Sequence, residues 1–115
     1  MKTVLFIEDE LDYRDPVVKR LGEEGFEVYC AEDGKEALDI IKENNIDLVL
    51  LDLLLPRMDG VEFLYILRND LEKDIPVIIL SNLDSHPNKN EVAEYLVKAN
   101  VTIEELVKKV AEYTV

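Results

Sequence analysis

The sequence predicts an α/β protein built on a doubly wound parallel sheet with helices on both faces. Short apolar runs alternate along the chain with amphipathic segments, which is the pattern of repeated strand–helix–strand units. Two of the runs are apolar at consecutive positions, as in strands that are covered on both faces. At the start of three amphipathic segments, an Asp or a Thr stands three residues before a Glu, which is the spacing of a helix capping box.

Five apolar runs have the length of strands. The third and the fourth are the consecutively apolar runs, so we place them in the middle of the sheet. The second contains Cys30, a lone cysteine that cannot form an internal disulfide and fits a small strand residue. The predicted strands lie near residues 3–8, 26–31, 46–52, 76–81 and 94–98.

The capping pairs predict where three helices begin. After each pair, apolar residues recur at helical spacing and form a stripe that can pack on a sheet. The pairs are Asp33 with Glu36, Asp59 with Glu62, and Thr102 with Glu105. The stripes are Ala37, Leu38 and Ile41, then Val61, Leu64 and Leu67, and finally Ile103, Leu106, Val107 and Val110.

The first helix contains a proline, and its start is open to two interpretations. Either Asp15 caps a helix whose first residue is Pro16, or a helix from about Leu11 carries Pro16 in its first turns, where few backbone donors are used. We expect Gly25 to end this helix.

The segment between the fourth and fifth strands is short for a helical crossover. The residues from Asn82 to Ala93 are about the minimum for a parallel connection that contains a helix. They include Pro87 and several Asn residues but no apolar stripe, a content that favours turns. Twelve extended residues reach about 40 Å, which is enough to cross the sheet without a helix. We therefore predict that the fourth helix is absent or about one turn long.

Composition and charge limit the classes of function. With 115 residues, 48% of them hydrophobic and 34% charged, we expect one globular domain over residues 1–115. No apolar stretch is long enough to span a membrane, and the first residues lack the pattern of a signal peptide, so we expect a cytoplasmic protein. The formal net charge of −13 opposes direct binding to nucleic acid phosphates.

Polar side chains follow four of the predicted strands at the point where each strand ends. Glu8 and Asp9 end the first apolar run, and Asp52 follows the third. In parallel neighbours these carboxylates would meet at the sheet edge where ligands of open α/β folds bind, and Mg²⁺ would offset their repulsion. Ser81 and Lys98 end the fourth and fifth strands. The same edge would then present a hydroxyl and an ammonium, which suits a phosphoryl group.

Four segments carry a family resemblance that covers nearly the whole chain. They are the acidic pair within Phe6–Glu10, the run Asp52–Gly60, Ser81 at the end of the fourth strand, and Tyr95–Lys98. On these residues the chain resembles a response-regulator receiver domain, the family that includes the bacterial chemotaxis receiver. The resemblance implies a flavodoxin-like sheet of five strands in the order 2-1-3-4-5.

The resemblance also implies the residues of an acceptor and metal site. Asp52 matches the phosphoacceptor, whose carboxylate attacks a phosphoryl group and forms an acyl phosphate. Asp9 matches the direct magnesium ligand, and Glu8 matches the acidic neighbour that usually acts through water. Leu54 matches the residue whose backbone carbonyl completes the metal site.

Three further residues match positions that respond to the phosphoryl group. Lys98 matches the cation that pairs with a phosphoryl oxygen. Ser81 matches the hydroxyl that is drawn toward the phosphate, and Tyr95 matches the aromatic switch that turns inward when the hydroxyl moves.

The chain departs from the family pattern at two positions besides the short crossover. Asn82 stands after Ser81, where the family usually has a very small residue, and it could crowd phosphate entry or add a hydrogen bond. Ala99 follows Lys98, where the family normally has Pro, often in a cis peptide bond. Because a cis bond is costly without Pro, we expect a trans Lys98–Ala99 bond or an adjusted path of Lys98. In the family, the fourth helix, the fifth strand and the fifth helix commonly form the face that signals to partners, so the resemblance implies that a short crossover alters this face.

The resemblance implies a receiver in two-component signal transduction. A sensor histidine kinase or a phosphotransfer protein would supply the phosphoryl group, and an unidentified protein would receive the signal; we expect no nucleic acid or membrane partner. The chain would promote its own phosphorylation and slow dephosphorylation, and would not be a turnover enzyme on external substrates.

Two alternatives are weighed against this function. A degenerate receiver would keep the fold and act as a protein-interaction module without phosphorylation, and Asn82, Ala99 and the short crossover keep this alternative open. A phosphatase of the haloacid-dehalogenase kind also uses an Asp nucleophile and Mg²⁺. It needs a second Asp two residues later as general acid, and Leu54 occupies that position.

Overall fold

Five parallel strands form a single sheet in the order β2-β1-β3-β4-β5, as the resemblance implied. The computed structural model describes residues 1–82 and 92–115. The third strand is shorter than the predicted range 46–52, and Asp52 lies directly after its end. The strands are β1 (Thr3–Ile7), β2 (Glu27–Ala31), β3 (Leu48–Leu51), β4 (Val77–Ser81) and β5 (Glu94–Val97).

The helices pack on both faces of this sheet. After its last residue α3 continues as a π-helix, Ile66–Asp70, and a short 3₁₀ helix, Lys98–Asn100, follows β5 directly. The α-helices within the described ranges are α1 (Leu11–Glu23), α2 (Gly34–Glu43), α3 (Gly60–Tyr65) and α4 (Ile103–Tyr113).

All three predicted helix caps are confirmed. The side chains of Asp33, Asp59 and Thr102 accept hydrogen bonds from the backbone N–H groups of the glutamates three residues later. Thr102 also donates its own backbone N–H to the Glu105 carboxylate, which completes a reciprocal capping box. These bonds satisfy backbone donors that the first helical turn cannot pair.

Helix α1 begins at Leu11 and carries Pro16 inside, so the second of the two interpretations of this segment is confirmed. The helix ends before Gly25, which has a φ of +94°. A side chain would be strained in this left-handed conformation, and the prediction that Gly25 closes the helix is confirmed.

The core consists of two buried layers, one on each face of the sheet. Along β1, Val4 and Phe6 face one layer, whereas Leu5 and Ile7 face the other, because successive side chains of a strand point to opposite faces. Helices α1 and α4 cover the layer of Val4 and Phe6, and α2 and α3 cover the other. This double coverage explains the continuous apolar sequence of the central strands.

The predicted stripe of α3 is wrong at one position. Val61 is 53% exposed, while Phe63 and Leu64 are completely buried. The cap at Asp59 sets the rotation of the helix, and Val61 points away from the face that packs on the sheet. The residues on that face are Gly60, Phe63, Leu64 and Leu67.

The predicted short crossover runs from Asn82 to Ala93, and its residues 83–91 lie outside the described residues. The expected trans bond between Lys98 and Ala99 is confirmed, since no cis peptide bond occurs in the described ranges. Within residues 1–82 and 92–115, none of the helices has the length and apolar character needed to cross a lipid bilayer.

Candidate functional site

The candidate site lies where β1 and β3 end at the carboxyl edge of the sheet. Ile7 and Leu51 are partners in the parallel register, so the next residues, Glu8 and Asp52, leave the sheet side by side. The backbone N–H of Asp52 donates to the Ile7 carbonyl at 3.2 Å, which extends the ladder to the acceptor position. Both acidic residues are buried, Glu8 completely and Asp52 with 4% of its surface exposed.

Lys98 brings a positive charge into contact with both carboxylates. It directly follows β5, and its Nζ lies 2.6 Å from Glu8 Oε1 and 3.3 Å from Asp52 Oδ2. The closer contact is a buried ion pair, and the ammonium also donates a hydrogen bond to Asp52. The Lys98 side chain is only 8% exposed, so these charges interact with little solvent screening.

Burial and charge shift the pKa values of this cluster. Burial raises the pKa of Glu8, the Asp52 charge raises it further, and the nearby Lys98 lowers it without cancelling the increase. Burial alone would lower the pKa of Lys98, but its contacts with Glu8 and Asp52 outweigh burial and raise it. Lys98 is therefore held as an ammonium between the two acidic groups.

The loop after β3 holds the Asp52 carboxylate from its other side. The backbone N–H of Leu54 donates to Asp52 Oδ1 at 3.2 Å, while the Leu54 side chain is 61% exposed. Gly60 closes this loop by donating its N–H to the Leu53 carbonyl at 3.0 Å. A Cβ on Gly60 would stand 2.7 Å from Leu53 Cα and 2.8 Å from the Asp52 carbonyl oxygen, so the turn requires glycine.

A second contact attaches this loop to helix α2. The Arg57 guanidinium donates to the carboxylate of Asp33, the residue that caps the helix. The backbone N–H of Glu36, together with Arg57, holds the pKa of Asp33 below its ordinary value. Arg57 itself has a φ of +64°, an uncommon conformation for a residue with a side chain.

Three carboxylates come together in the arrangement of a metal site. Oxygen atoms of Glu8, Glu10 and Asp52 lie within 4.8 Å of one another. Hard divalent cations prefer such oxygen ligands, so the donor set fits a divalent metal. Asp9, the predicted direct ligand, is exposed and stands outside this group of three, and its role stays a prediction.

The sequence interpretation missed Glu10, although the signal for it was present. Glu10 is the last of three consecutive acidic residues, Glu8-Asp9-Glu10, and the chain bends at Asp9 between the two glutamates. The backbone N–H of Glu10 also donates to the Glu8 carboxylate at 3.2 Å, which ties the two residues together.

Tyr13 is a second residue of the site that the sequence interpretation missed. Its ring centroid lies 4.6 Å from Lys98 Nζ, within the range of a cation–π interaction. The ring also meets Phe6 edge to face with centroids 6.4 Å apart, and burial raises the pKa of its phenol. Nothing in the local sequence of α1 distinguishes this ring from an ordinary core residue, because its partner Lys98 comes from the far end of the sheet.

Ser81 and Tyr95 lie where the strand predictions placed them. Ser81 is the last residue of β4, is completely buried, and pairs in register with Val97, the residue before Lys98. Tyr95 lies on β5 opposite Ile79 and packs in part against the core layer that contains Leu5 and Ile7. Their roles in switching stay predictions.

The two unusual residues, Asn82 and Ala99, contact each other. The backbone N–H of Ala99 donates a hydrogen bond to Asn82 Oδ1 at 3.0 Å. Of the two consequences considered for Asn82, an added hydrogen bond is therefore present in the structure. It joins the residue after Ser81 to the residue after Lys98.

Comparison with known proteins agrees with this geometry. Residues 4–111 match the family model of the response regulator receiver domain. The receiver domain of the Francisella response regulator 1452 is 36% identical, with a TM-score of 0.88 and coverage of 99% of this chain and 97% of that one. The response regulator TrrA of Thermotoga maritima, solved in complex with Mg²⁺-BeF, is 34% identical, with a TM-score of 0.85 and coverage of 98% and 99%.

A chemotaxis protein is also similar to this chain. CheY4 of Vibrio cholerae is 29% identical, with a TM-score of 0.85 and coverage of 98% of both chains. The family model and the structural matches thus cover nearly the whole chain, including Glu8, Asp52, Ser81 and Lys98. The chain belongs to the family of response regulator receiver domains.

Proposed function

We propose that this chain is a phosphorylation switch in which Asp52 accepts a phosphoryl group from a histidine kinase or a phosphotransfer protein. The observation that carries the proposal is the position of Lys98, whose ammonium lies within 3.3 Å of the buried Asp52 carboxylate. A lysine in this place supplies the charge that an incoming phosphoryl group needs next to its acceptor.

The chemistry requires little beyond positioning and charge. An Asp52 carboxylate oxygen attacks the phosphorus, a new P–O bond forms, and the bond from phosphorus to the donor nitrogen or oxygen breaks in line with it. The leaving group keeps the electron pair of the broken bond. The Leu54 N–H holds one oxygen of Asp52, and Lys98 is placed to pair with a phosphoryl oxygen.

Magnesium is the cofactor we assign to the acidic cluster. The three clustered carboxylates fit a hard divalent cation, and the similar TrrA protein was solved with Mg²⁺-BeF. We keep Asp9 as the direct ligand, with Glu8, Asp52 and the Leu54 carbonyl as the remaining protein contacts. When bound, Mg²⁺ would supply charge neutralisation for the phosphoryl oxygens.

The phosphoryl group would change protein contacts through Ser81 and Tyr95. Ser81 ends β4, the strand next to β3, and Tyr95 lies on β5, the next strand of the sheet. We propose that the protein acts in the cytoplasm as a switch with its own slow dephosphorylation, and that its signal goes to another protein.

Labelling with a small phosphodonor tests this function. The protein is incubated with Mg²⁺ and acetyl phosphate and its intact mass is measured over time. We expect the gain of one phosphoryl group, and we expect Asp52→Asn to abolish it. Asp59→Asn is the matched control, because Asp59 is an exposed helix cap at which Asn caps equally well, and this variant should label like the parent.

Other outcomes would contradict the proposal. If the folded protein gains a phosphoryl group neither from acetyl phosphate nor from any of a panel of phosphorylated histidine kinases, it is a degenerate receiver. Rapid turnover of unrelated phosphoesters would instead indicate a phosphatase.

A further inference from the structure

The hydrogen bond between Asn82 and Ala99 lies next to the two site residues that come from β4 and β5. Asn82 follows Ser81, and Ala99 follows Lys98. The strands are paired up to Ser81 and Val97, so the Asn82 side chain makes its bond immediately beyond the last pair of the ladder.

The local backbone explains why the N–H of Ala99 needs a partner from elsewhere. Lys98, Ala99 and Asn100 form a 3₁₀ helix, and the first N–H groups of a helix have no partner within it. Such donors are usually satisfied by the side chain of the residue that precedes the helix. Here that residue is Val97, which has no polar side-chain atom and makes no capping bond.

We infer that Asn82 is a positioning residue that caps this 3₁₀ helix from the neighbouring strand and so holds Lys98 toward Asp52. The inference rests on the proposed function, because the purpose of the contact is the position of the phosphoryl-pairing ammonium. Asn82 does not touch the reacting atoms. It acts through the backbone of the residue that follows Lys98.

The direction of the Lys98 side chain makes this support necessary. Lys98 starts beyond β5, and its ammonium crosses the end of β4 to reach Asp52, which follows β3. Because the side chain is long, a small rotation at its base moves Nζ away from Asp52. Of the two close ion pairs of Lys98, the one with Asp52, at 3.3 Å, is already longer than the one with Glu8. Fixing the backbone at Ala99 limits that rotation.

The test compares three variants of the full chain. Asn82→Ala removes the acceptor oxygen, and Asn82→Asp restores an acceptor at the same place. Asn69→Ala is the matched control, because Asn69 also makes an exposed side-chain bond to the backbone, with its Nδ2 3.0 Å from the Tyr65 carbonyl, but on the π-helix away from the site.

Three quantities are measured on each variant. They are the hydrogen exchange rate of the Ala99 amide by NMR, the Kd for Mg²⁺ alone, and the Kd for beryllofluoride at saturating Mg²⁺. We expect Asn82→Ala to raise the exchange rate about fivefold, which is the usual effect of a lost helix cap. We also expect it to weaken beryllofluoride binding about threefold without weakening Mg²⁺ binding, since the Lys98 ammonium attracts the anion but shares Glu8 and Asp52 with the cation.

The outcomes separate this inference from the proposed function. Recovery of slow Ala99 exchange in Asn82→Asp, with no change in Asn69→Ala, supports the contact. Unchanged exchange in Asn82→Ala overturns it, as does an equal loss of Mg²⁺ and beryllofluoride binding, which would indicate general disruption. If the parent protein binds Mg²⁺ but not beryllofluoride, the proposed function fails and the role of Asn82 fails with it, although the exchange measurement still reports whether the bond exists.

Discussion

The ammonium of Lys98 lies closer to Glu8 than to Asp52, at 2.6 Å against 3.3 Å. The buried lysine therefore pairs most closely with a residue that is not the proposed acceptor. This leaves Asp52 held by Lys98 on one oxygen and by the Leu54 N–H on the other. The stability of the cluster depends on one ammonium shared between two acidic groups.

The first prediction concerns the pH dependence of this ammonium. The pKa of Lys98 is raised above its ordinary value of 10.5. The charged lysine thus stabilises the fold fully below pH 10.5, and this contribution is lost as the pH rises through the higher pKa of the folded state. We expect Lys98→Met to lower the free energy of unfolding by about 3 kcal/mol at neutral pH, because it leaves two buried carboxylates without a cation.

Urea unfolding at a series of pH values checks this prediction in the presence of a chelator. The difference in unfolding free energy between the parent and Lys98→Met should shrink as the pH rises past the pKa of Lys98 in the folded state. Lys109→Met is the control, since Lys109 pairs with Glu94 at the surface and should change stability by no more than about 0.5 kcal/mol. A difference that stays constant with pH would contradict the assignment.

The second prediction separates Asp9 from Glu10 as the metal ligand. Glu10 is 69% exposed at its side chain and contacts Lys98 only at 3.8 Å, so it contributes mainly through its charge. We expect Glu10→Gln to raise the Kd for Mg²⁺ about twofold, as weak exposed charge interactions do. We expect Asp9→Asn to raise it about tenfold or more, as loss of a coordinating group does.

Calorimetric titration with Mg²⁺ measures both constants directly. Thermal unfolding gives an independent check, because a ligand that binds only the folded state stabilises it, and so raises the Tm, with the logarithm of one plus the ratio of the Mg²⁺ concentration to Kd. If Glu10→Gln instead raises the Kd for Mg²⁺ more than Asp9→Asn does, the metal ligands are the three carboxylates that the structure brings together.

The third prediction concerns the ring of Tyr13. Its face lies against the Lys98 ammonium and its ring meets Phe6, and both contacts belong to the aromatic ring and not to the phenol oxygen. Tyr13→Phe should therefore change the free energy of unfolding by less than about 0.5 kcal/mol, whereas Tyr13→Leu should lower it by about 1–2 kcal/mol. Equal losses in the two variants, measured by urea unfolding, would show that the hydroxyl carries the effect.

The fourth prediction compares two glycines. Gly60 packs against the backbone of Asp52 and Leu53, and a Cβ there would come within 2.8 Å of the Asp52 carbonyl oxygen. Gly60→Ala should lower the free energy of unfolding by about 1–3 kcal/mol through overpacking, and it should also slow labelling of Asp52 by displacing the acceptor loop.

Gly22 provides the control for this comparison. It lies in α1, and a Cβ there would meet no atom within 4 Å. Gly22→Ala should raise stability by about 0.5–1 kcal/mol, because alanine favours the helix and restricts the unfolded chain. Chemical denaturation of both variants measures the contrast, and a stable Gly60→Ala variant that labels normally would refute the tight packing at the loop.

Local chemistry explains why much of the fold was predictable. The caps at Asp33, Asp59 and Thr102 depend on residues three apart, and the strands depend on short apolar runs. The error at Val61 arose because an apolar residue near a helix start can lie on either side of the packed face. The exact cap geometry decides which side it takes.

The sequence by itself determined the strand ends that carry Glu8, Asp52, Ser81 and Lys98, because acidic, hydroxyl and basic residues directly follow apolar runs. Only the tertiary structure decided which of these groups touch. The preference of Lys98 for Glu8 and the pairing of Asn82 with Ala99 join segments that are distant along the chain. Such contacts depend on the order in which strands pair in the sheet and on how far long side chains reach, and no local sequence pattern predicts either.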